Sequence, residues 1–567
     1  MKQSECSNAA VPRFRYEGVF FVLLVSAVCQ ILYSHLGFNP TDEGYLLSGS
    51  RRLLDGQIPH RDYVSLRPVG THLLHAHLLL WAGDRVIWWS RYFAWLEFAA
   101  TAWFWVRIVE YYFKPFPSPW IRFGAGLTAF MVSVHVFPIM PWNSVDVVFI
   151  VSLGIALRLF GLPPRRDWRW IGILLIGTAP LFRQNFILPL PFFLLVLGEG
   201  RHWKSWCLVA LPSALYGLVL FLFGALPDAI LQMASHGSSL PAALLPPPGA
   251  SGRMFSGVSR ESLIAGFLSG AAGFFLSLSG RGVSLRRWGV AILGGGMIFS
   301  VGSILLSVTA RGWFLFGMLM AAMLFLLRQK SGEWRCALLA LLTAWGVSIS
   351  EGWHYPTLAA GGLFLVLLAM ILAFIFHGPF AASGDAAYNL PNLASSGTSV
   401  GFVLAAVMVF HWGRTHRIYC ELPASQLRHD LSGVFPGARG IYTNQNTHQF
   451  LTDLRSAIEW ARGHGTARSR IAILPEVAQF WVTSPRPNPL SSDWPIDTEL
   501  NHPKNRKRIL NEIERARGSV IFIVQKHHAE HLAKRLEPYR EGTCATRDAV
   551  RRDFRKIHET DFFEVYE

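Results

Sequence analysis

Charged residues are scarce in this chain. Asp, Glu, Lys and Arg make up 16% of its 567 residues, whereas a soluble globular protein carries about a quarter. Apolar residues reach 51% and the mean hydropathy is +0.32, so the bilayer is the expected solvent. Cysteine is sparse as well: six residues, at 6, 29, 207, 336, 420 and 544, show no CxxC or metal-ligand spacing. Only Cys420 and Cys544 fall in the polar C-terminal stretch. They could pair in an oxidising compartment, a question that spacing leaves open. There is no Ser-His-Asp order, no P-loop and no dinucleotide glycine fingerprint.

Aromatic residues are plentiful at 13%, with 21 Trp and 41 Phe. Several Trp stand at the ends of apolar runs, where indole rings favour the headgroup layer. The formal charge of +16 is spread through short loops and the tail, so it reads as a topology signal and not as a nucleic-acid footprint.

Lys2, Arg13 and Arg15 precede the first apolar run, Val19 to Leu36. No small-residue cleavage site follows it, so it is expected to stay as a membrane helix with a cytoplasmic N-terminus. Residues 37–85 form a polar outer loop with two short amphipathic helices, Tyr45 to Leu54 and Val69 to Trp81, along the outer surface. Further helices are expected at about 86–106, 121–139, 146–162, 170–182, 186–198, 205–224, 260–280, 289–309, 313–327, 337–350, 357–377 and 398–412.

The basic turns Arg165–Arg169 and Arg201–Lys204 should share the cytoplasmic side. The chain between them then crosses twice in legs too short for about 30 Å of hydrocarbon. A broken pair of legs around Arg183-Gln184-Asn185 is tolerated where protein or a watery cavity covers the backbone. Arg281, Arg286, Arg287, Arg328 and Lys330 also land inside, and an odd helix count leaves the tail outside. Residues 378–397 read as a loop. From Gly413 onward the pattern changes: Ile471–Leu474 and Val520–Val524 look like buried strands, Phe450–Arg462 and Arg506–Arg517 like helices. The expected fold is a polytopic α-helical membrane domain of about 13 helices, residues 1–412, followed by an extracytoplasmic α/β domain, residues 413–567.

Two carboxylates, Asp42 and Glu43, stand just beyond the first helix. Capping of a helix start accounts for them in isolation. At a membrane boundary, however, apolar surroundings raise a carboxyl's pKa and suit it to accept a proton from a hydroxyl nucleophile. Such a base fits transfer of a group from a lipid carrier, whose departing phosphate needs cationic partners. His72, His75 and His77 read as an interfacial helix and not as a metal site.

Asp42-Glu43, the following Arg51-Arg52-Leu-Leu-Asp-Gly-Gln, Arg61-Asp62-Tyr63 and the run from Pro68 resemble the first outer loop of GT-C superfamily glycosyltransferases. The likeness is to the bacterial branch related to protein O-mannosyltransferases and aminoarabinose transferases. It implies a polyprenyl-phosphate-sugar donor, an outward-facing site, Asp42 as catalytic base and Glu43 assisting. Leu181–Asn185 resembles the Arg-Gln turn of these enzymes, and Glu351 to Pro356 their late outer loop with His-Tyr. The resemblance therefore implies donor-phosphate contacts at Arg183, His354 and Tyr355, with Arg67 added from its place at headgroup level. Some members use a divalent cation at the outer-loop acids and others do not, so metal dependence stays open and no ligands are assigned. The tail segment Ile473–Glu476 with Phe480, Trp481 and Arg486 looks like the outer domains attached to such enzymes.

Expected partners are the lipid-linked donor, a glycan, lipid or protein acceptor, and the bilayer, with no nucleic acid. The expected location is the cell (inner) membrane. The competing expectation is a transporter or flippase of a lipid-linked or anionic substrate, because broken helices also occur at transport sites.

Overall fold

The structure is a computed structural model. It describes residues 16–567 except 115, 117, 136, 161–167, 236–258, 279–282, 329–331, 350–354, 378–396, 465–469 and 501. His354, with Glu351, lies outside the described residues, as do Lys2, Arg13, Arg15, Arg165, Arg281 and Lys330.

Among the described residues six helices are long and apolar enough to cross a membrane: Tyr16–Tyr33, Asn143–Phe160, Trp203–Leu222, Arg287–Leu305, Thr309–Arg328 and Pro356–Ala373. Shorter or more polar helices complete the bundle at Pro119–Val134, Trp168–Phe182, Arg260–Leu278, Trp334–Ser348 and Gly397–His416. The helix Val86–Phe113 runs for 28 residues, about 42 Å at 1.5 Å per residue. Its buried face carries Trp95, Trp105 and Val106 into the bundle core.

Two expected helices are shorter than the hydropathy implied. The run 121–139 ends as a helix at Val134, just before Pro138 and Pro141, which lack the N–H needed to continue. The leg 186–198 is only a 3-10 turn, Gln184–Ile187, followed by the helix Leu190–Val196. Pro189 and Pro191 confine the α-helix to this short stretch. The expected helix from Val69 to Trp81 is split into Gly70–Ala76 and Leu78–Trp81. Beyond Trp203–Leu222 lies a further helix, Leu226–Ser235, whose Gln232 side chain holds His60 and Ser65 of the outer loop.

After His416 the chain forms a small α/β unit. Strands β1 (His429–Asp430) and β2 (Tyr442–Thr443) make an antiparallel pair. Strands β3 (Arg470–Leu474), β4 (Val520–Gln525), β5 (Lys556–Glu559) and β6 (Phe563–Tyr566) form a sheet in the order β3-β4-β6-β5. β3 and β4 are parallel and the other pairings antiparallel. All six residues of β4 are buried, which explains the apolar run Val520–Val524 within it. Helices Gln445–His464 and Pro503–Arg515 flank this sheet. The strands at 556–566 carry charge and no clear alternation, so their pairing, and not their composition, makes them strands.

The outer loop and this C-terminal unit share one hydrophobic core. Phe38, Leu47, Leu78 and Ile87 pack in the same cluster as Phe435, Phe450, Trp481 and Phe563. Gly44 (φ 82) lies so close to Gln479 that a Cβ would collide with the Gln479 backbone. Polar ties add to this: Gly37 donates to the Tyr442 carbonyl at 2.8 Å and Val477 to the Pro40 carbonyl at 3.2 Å. Buried Arg52 forks onto Asp493, both contacts 2.6 Å. The C-terminal unit is therefore built onto the first loop and fixes its conformation.

Candidate active site

Asp42 sits in the turn between the first helix and Tyr45–Leu54. The turn is set by Asn39, whose Oδ1 accepts from the Thr41 amide at 3.0 Å, while its Nδ2 donates to Asp42 Oδ2 at 3.0 Å. Tyr419, just past the last bundle helix, donates its hydroxyl to the same Oδ2 at 2.9 Å. No described residue donates to Oδ1. Burial pushes the Asp42 carboxyl up to about 6, against the opposing hydrogen bonds from Tyr419 and Asn39, and the nearby acids Glu530 and Glu476 add to the rise. Glu476 is itself raised by burial. Its Oε2 accepts from Gln525, the Ala529 amide and Tyr539, at 3.1, 3.1 and 3.0 Å.

Glu43 is placed differently from its neighbour. It is buried and ion-paired in a fork with Arg91, at 2.8 and 2.7 Å. Arg91 also donates to the carbonyls of Ser34 and Gly37, both at 2.7 Å. This pair fastens the loop to the helix Val86–Phe113 and leaves both carboxylate oxygens occupied.

A cavity of about 40 Å³ adjoins the turn, lined among others by Gly37, Asn39, Glu43, Arg414 and Tyr419. Arg414 comes from the last turn of Gly397–His416. Its guanidinium donates to the Phe137 carbonyl at 2.7 Å and stacks over Trp95 with its centre 5.2 Å from the ring. Among the described residues it has no carboxylate partner, and its buried Nε is unsatisfied.

A second basic zone is joined to Asp42 through Tyr45. The Tyr45 hydroxyl donates to Glu499 at 2.9 Å and accepts from Arg67 at 3.1 Å. Arg67 pairs with Glu499 at 3.3 Å and lies 5.9 Å from the Trp142 ring centre. Its charge acts on the nearby guanidinium of Arg183. Arg183 donates to Ser144 Oγ and, at 3.2 Å, to the Ile349 carbonyl. Its buried Nε is unsatisfied, and no described carboxylate pairs with it. The turn that carries it is held against the outer loop: Gln184 donates to the Leu66 carbonyl at 3.2 Å, and Gly70 packs so tightly on Leu181 that a Cβ would meet that backbone. Tyr355, described without its neighbour His354, opens the turn Pro356–Ala359 with extended backbone.

The structure thus brings Asp42, Glu43, Arg67 and Arg183 to one end of the bundle, under the C-terminal unit. Sequence reasoning missed Tyr419, Arg91, Glu499 and Arg414. Tyr419 meets Asp42 across 377 positions, and no local pattern announces such a contact. Cys420 and Cys544 are both free thiols.

No protein-family model matches the sequence, and no curated protein matches it. Solved structures show a similar arrangement at low sequence identity. They include ArnT from Cupriavidus metallidurans bound to undecaprenyl phosphate, at TM-score 0.42 and 12% identity over 97% of this chain and 98% of that one. The oligosaccharyltransferase of Archaeoglobus fulgidus, in complex with Zn and sulfate, is similar at TM-score 0.41 and 13% identity over 89% of this chain and 68% of that one. The apo state of the same ArnT gives TM-score 0.34 and 11% identity over 97% of both chains.

Proposed function

We propose that this protein is a membrane glycosyltransferase that moves a sugar from a polyprenyl-phosphate donor to an acceptor hydroxyl on the outer side of the membrane. The observation that carries the reading is the Asp42 carboxyl: partly buried, raised to about 6, held through Oδ2 alone and left with Oδ1 to receive a proton. Such a group is mostly ionised near neutral pH, yet basic enough to draw the proton from a hydroxyl as it attacks. The acceptor oxygen bonds to the anomeric carbon, the bond from that carbon to the phosphate oxygen breaks, and the proton passes to Asp42.

The departing lipid phosphate carries negative charge into a low-dielectric site and requires cations there. Arg183, a buried guanidinium without a carboxylate partner among the described residues, with Arg67 beside it, supplies them. Glu499 offsets only one of these two charges. Tyr355, and His354 before it, complete the phosphate side on the resemblance noted in the sequence. Glu43 acts by fixing the loop that carries Asp42, through Arg91. The C-terminal unit closes over the loop and orients Asp42 through Tyr419.

The test is transfer of labelled sugar from polyprenyl-phosphate donors by the purified full chain, with a panel of donors and acceptors. Transfer or donor hydrolysis that disappears in Asp42→Asn, at equal folding, supports the reading. Donor translocation without any cleavage of the sugar–phosphate bond would replace it with transport.

A further inference from the structure

Behind the Arg183 turn three ligand-type side chains are buried together. His75 and Asp146 are 0% exposed and Glu97 3%. They come from three elements: the short outer-loop helix Gly70–Ala76, the long helix Val86–Phe113 and the first turn of Asn143–Phe160. One ligand atom from each lies within 4.8 Å of the other two, and His75 Nε2 stands 3.2 Å from Asp146 Oδ1. Among the described residues both Glu97 oxygens, Asp146 Oδ2 and His75 Nδ1 are cut off from solvent with no well-formed hydrogen bond, the Glu97 and Asp146 carboxyls facing only each other and His75. None of the three is the catalytic candidate Asp42.

Two carboxylates in an apolar interior, with no Lys or Arg paired to either among the described residues, are costly to bury. A divalent cation resolves this directly, because it neutralises both charges and uses the orphaned oxygens as ligands. One imidazole nitrogen with two carboxylates is a mixed donor set that suits Zn²⁺ better than Mg²⁺ or Ca²⁺, which favour all-oxygen shells. Zinc holds such ligands at about 2.0–2.2 Å in a tetrahedral shell, so two ligand atoms of one ion stand roughly 3.3–3.6 Å apart. The 3.2 Å between His75 and Asp146 is already close to this, and binding would draw in any wider pair by side-chain rotation.

We propose that His75, Glu97 and Asp146 form a binding site for a Zn²⁺-type divalent ion. The ion ties the outer-loop helix to two bundle helices. Asp146 is two residues from Ser144, which accepts from Arg183, so the ion steadies the wall on which Arg183 rests. The neighbouring histidines do not enter: His72 and His77 each point a ring nitrogen at a backbone carbonyl, of Leu46 and Leu74, at 2.9 and 2.8 Å. The ion binding itself does not rest on the proposed transfer reaction.

The full chain, purified in detergent, is stripped with chelator, loaded with Zn²⁺, dialysed and assayed by elemental analysis. The expected result is about one Zn²⁺ per wild-type chain and less than about a tenth of that in Glu97→Gln and His75→Ala. Zn²⁺ should also raise the wild-type melting temperature. Wild type that retains no ion with an unmoved melting temperature overturns the proposal, and so do variants that bind as well as wild type. If the variants fail to fold, Co²⁺ loading of wild type decides. Visible bands of a four- or five-coordinate nitrogen–oxygen site support it, whereas a thiolate charge-transfer band or the faint spectrum of hydrated Co²⁺ overturns it.

Discussion

Tyr419 donates its hydroxyl to Asp42 at 2.9 Å and thereby joins the first outer loop to the segment that follows the last bundle helix, 377 positions away. With Asn39 on the same oxygen, the carboxylate is held by one edge and presents the other. A base fixed in this way loses little orientation when the acceptor hydroxyl arrives.

Loss of that hydrogen bond should be visible in the pH profile. The bond from Tyr419 stabilises the ionised form and lowers the Asp42 pKa from where burial alone would put it. Tyr419→Phe should therefore move the acid limb of kcat/KM to higher pH. A shift of one pH unit corresponds to about a tenfold loss on that limb, with little change well above it. A parallel loss at every pH would show that Tyr419 shapes the loop without touching the titration of Asp42.

The Glu43–Arg91 pair should matter for stability as much as for rate. Both side chains are buried, at 4% and 6% exposure, and removal of one partner leaves the other uncompensated. Glu43→Ala or Arg91→Ala should each cost about 3–5 kcal/mol, read as a fall in melting temperature of the detergent-solubilised chain. The double variant should lose less than the sum, because the two share one interaction. Additive losses would mean that the pair is not a unit.

Arg183 should act on the donor. Arg183→Met removes a buried cation that pairs with no carboxylate among the described residues, so none of them is stranded and the fold should tolerate it. Loss of charge-assisted contacts to the lipid phosphate, each about 1.5–3 kcal/mol, should reduce kcat/KM for the donor by roughly tenfold to a hundredfold, with the acceptor KM unchanged. An unchanged donor response would move the phosphate site to Arg414, a half-buried guanidinium without a carboxylate partner among the described residues, which lines the cavity beside Asn39.

What could be read in the sequence follows from the range of the interactions. Apolar runs are local, so most of the long helices and the strands expected at 471–474 and 520–524 are legible from hydropathy alone. Proline effects are local too, yet hydropathy alone placed a helix at 186–198 where Pro189 and Pro191 leave only Leu190–Val196. Asp42 was legible because it stands where a helix leaves the membrane. Its partner Tyr419, the Arg91 fork on Glu43 and the Glu97–Asp146–His75 cluster depend on contacts between distant segments. His75 was read with His72 and His77 as one helical face, but its partners come from two other helices. Each ionisable residue of that cluster looked ordinary in its own stretch.

The most direct test of the account is the pH dependence of sugar transfer from a polyprenyl-phosphate donor by wild type and Asp42→Asn. The carboxylate is the active form, so wild-type kcat/KM should rise with pH through about 6 and then level. Asp42→Asn should lose about a hundredfold to ten-thousandfold, and its residual activity should lack that limb. A variant that keeps wild-type transfer, or that keeps the same rise through that pH, would contradict the assignment of Asp42 as the base.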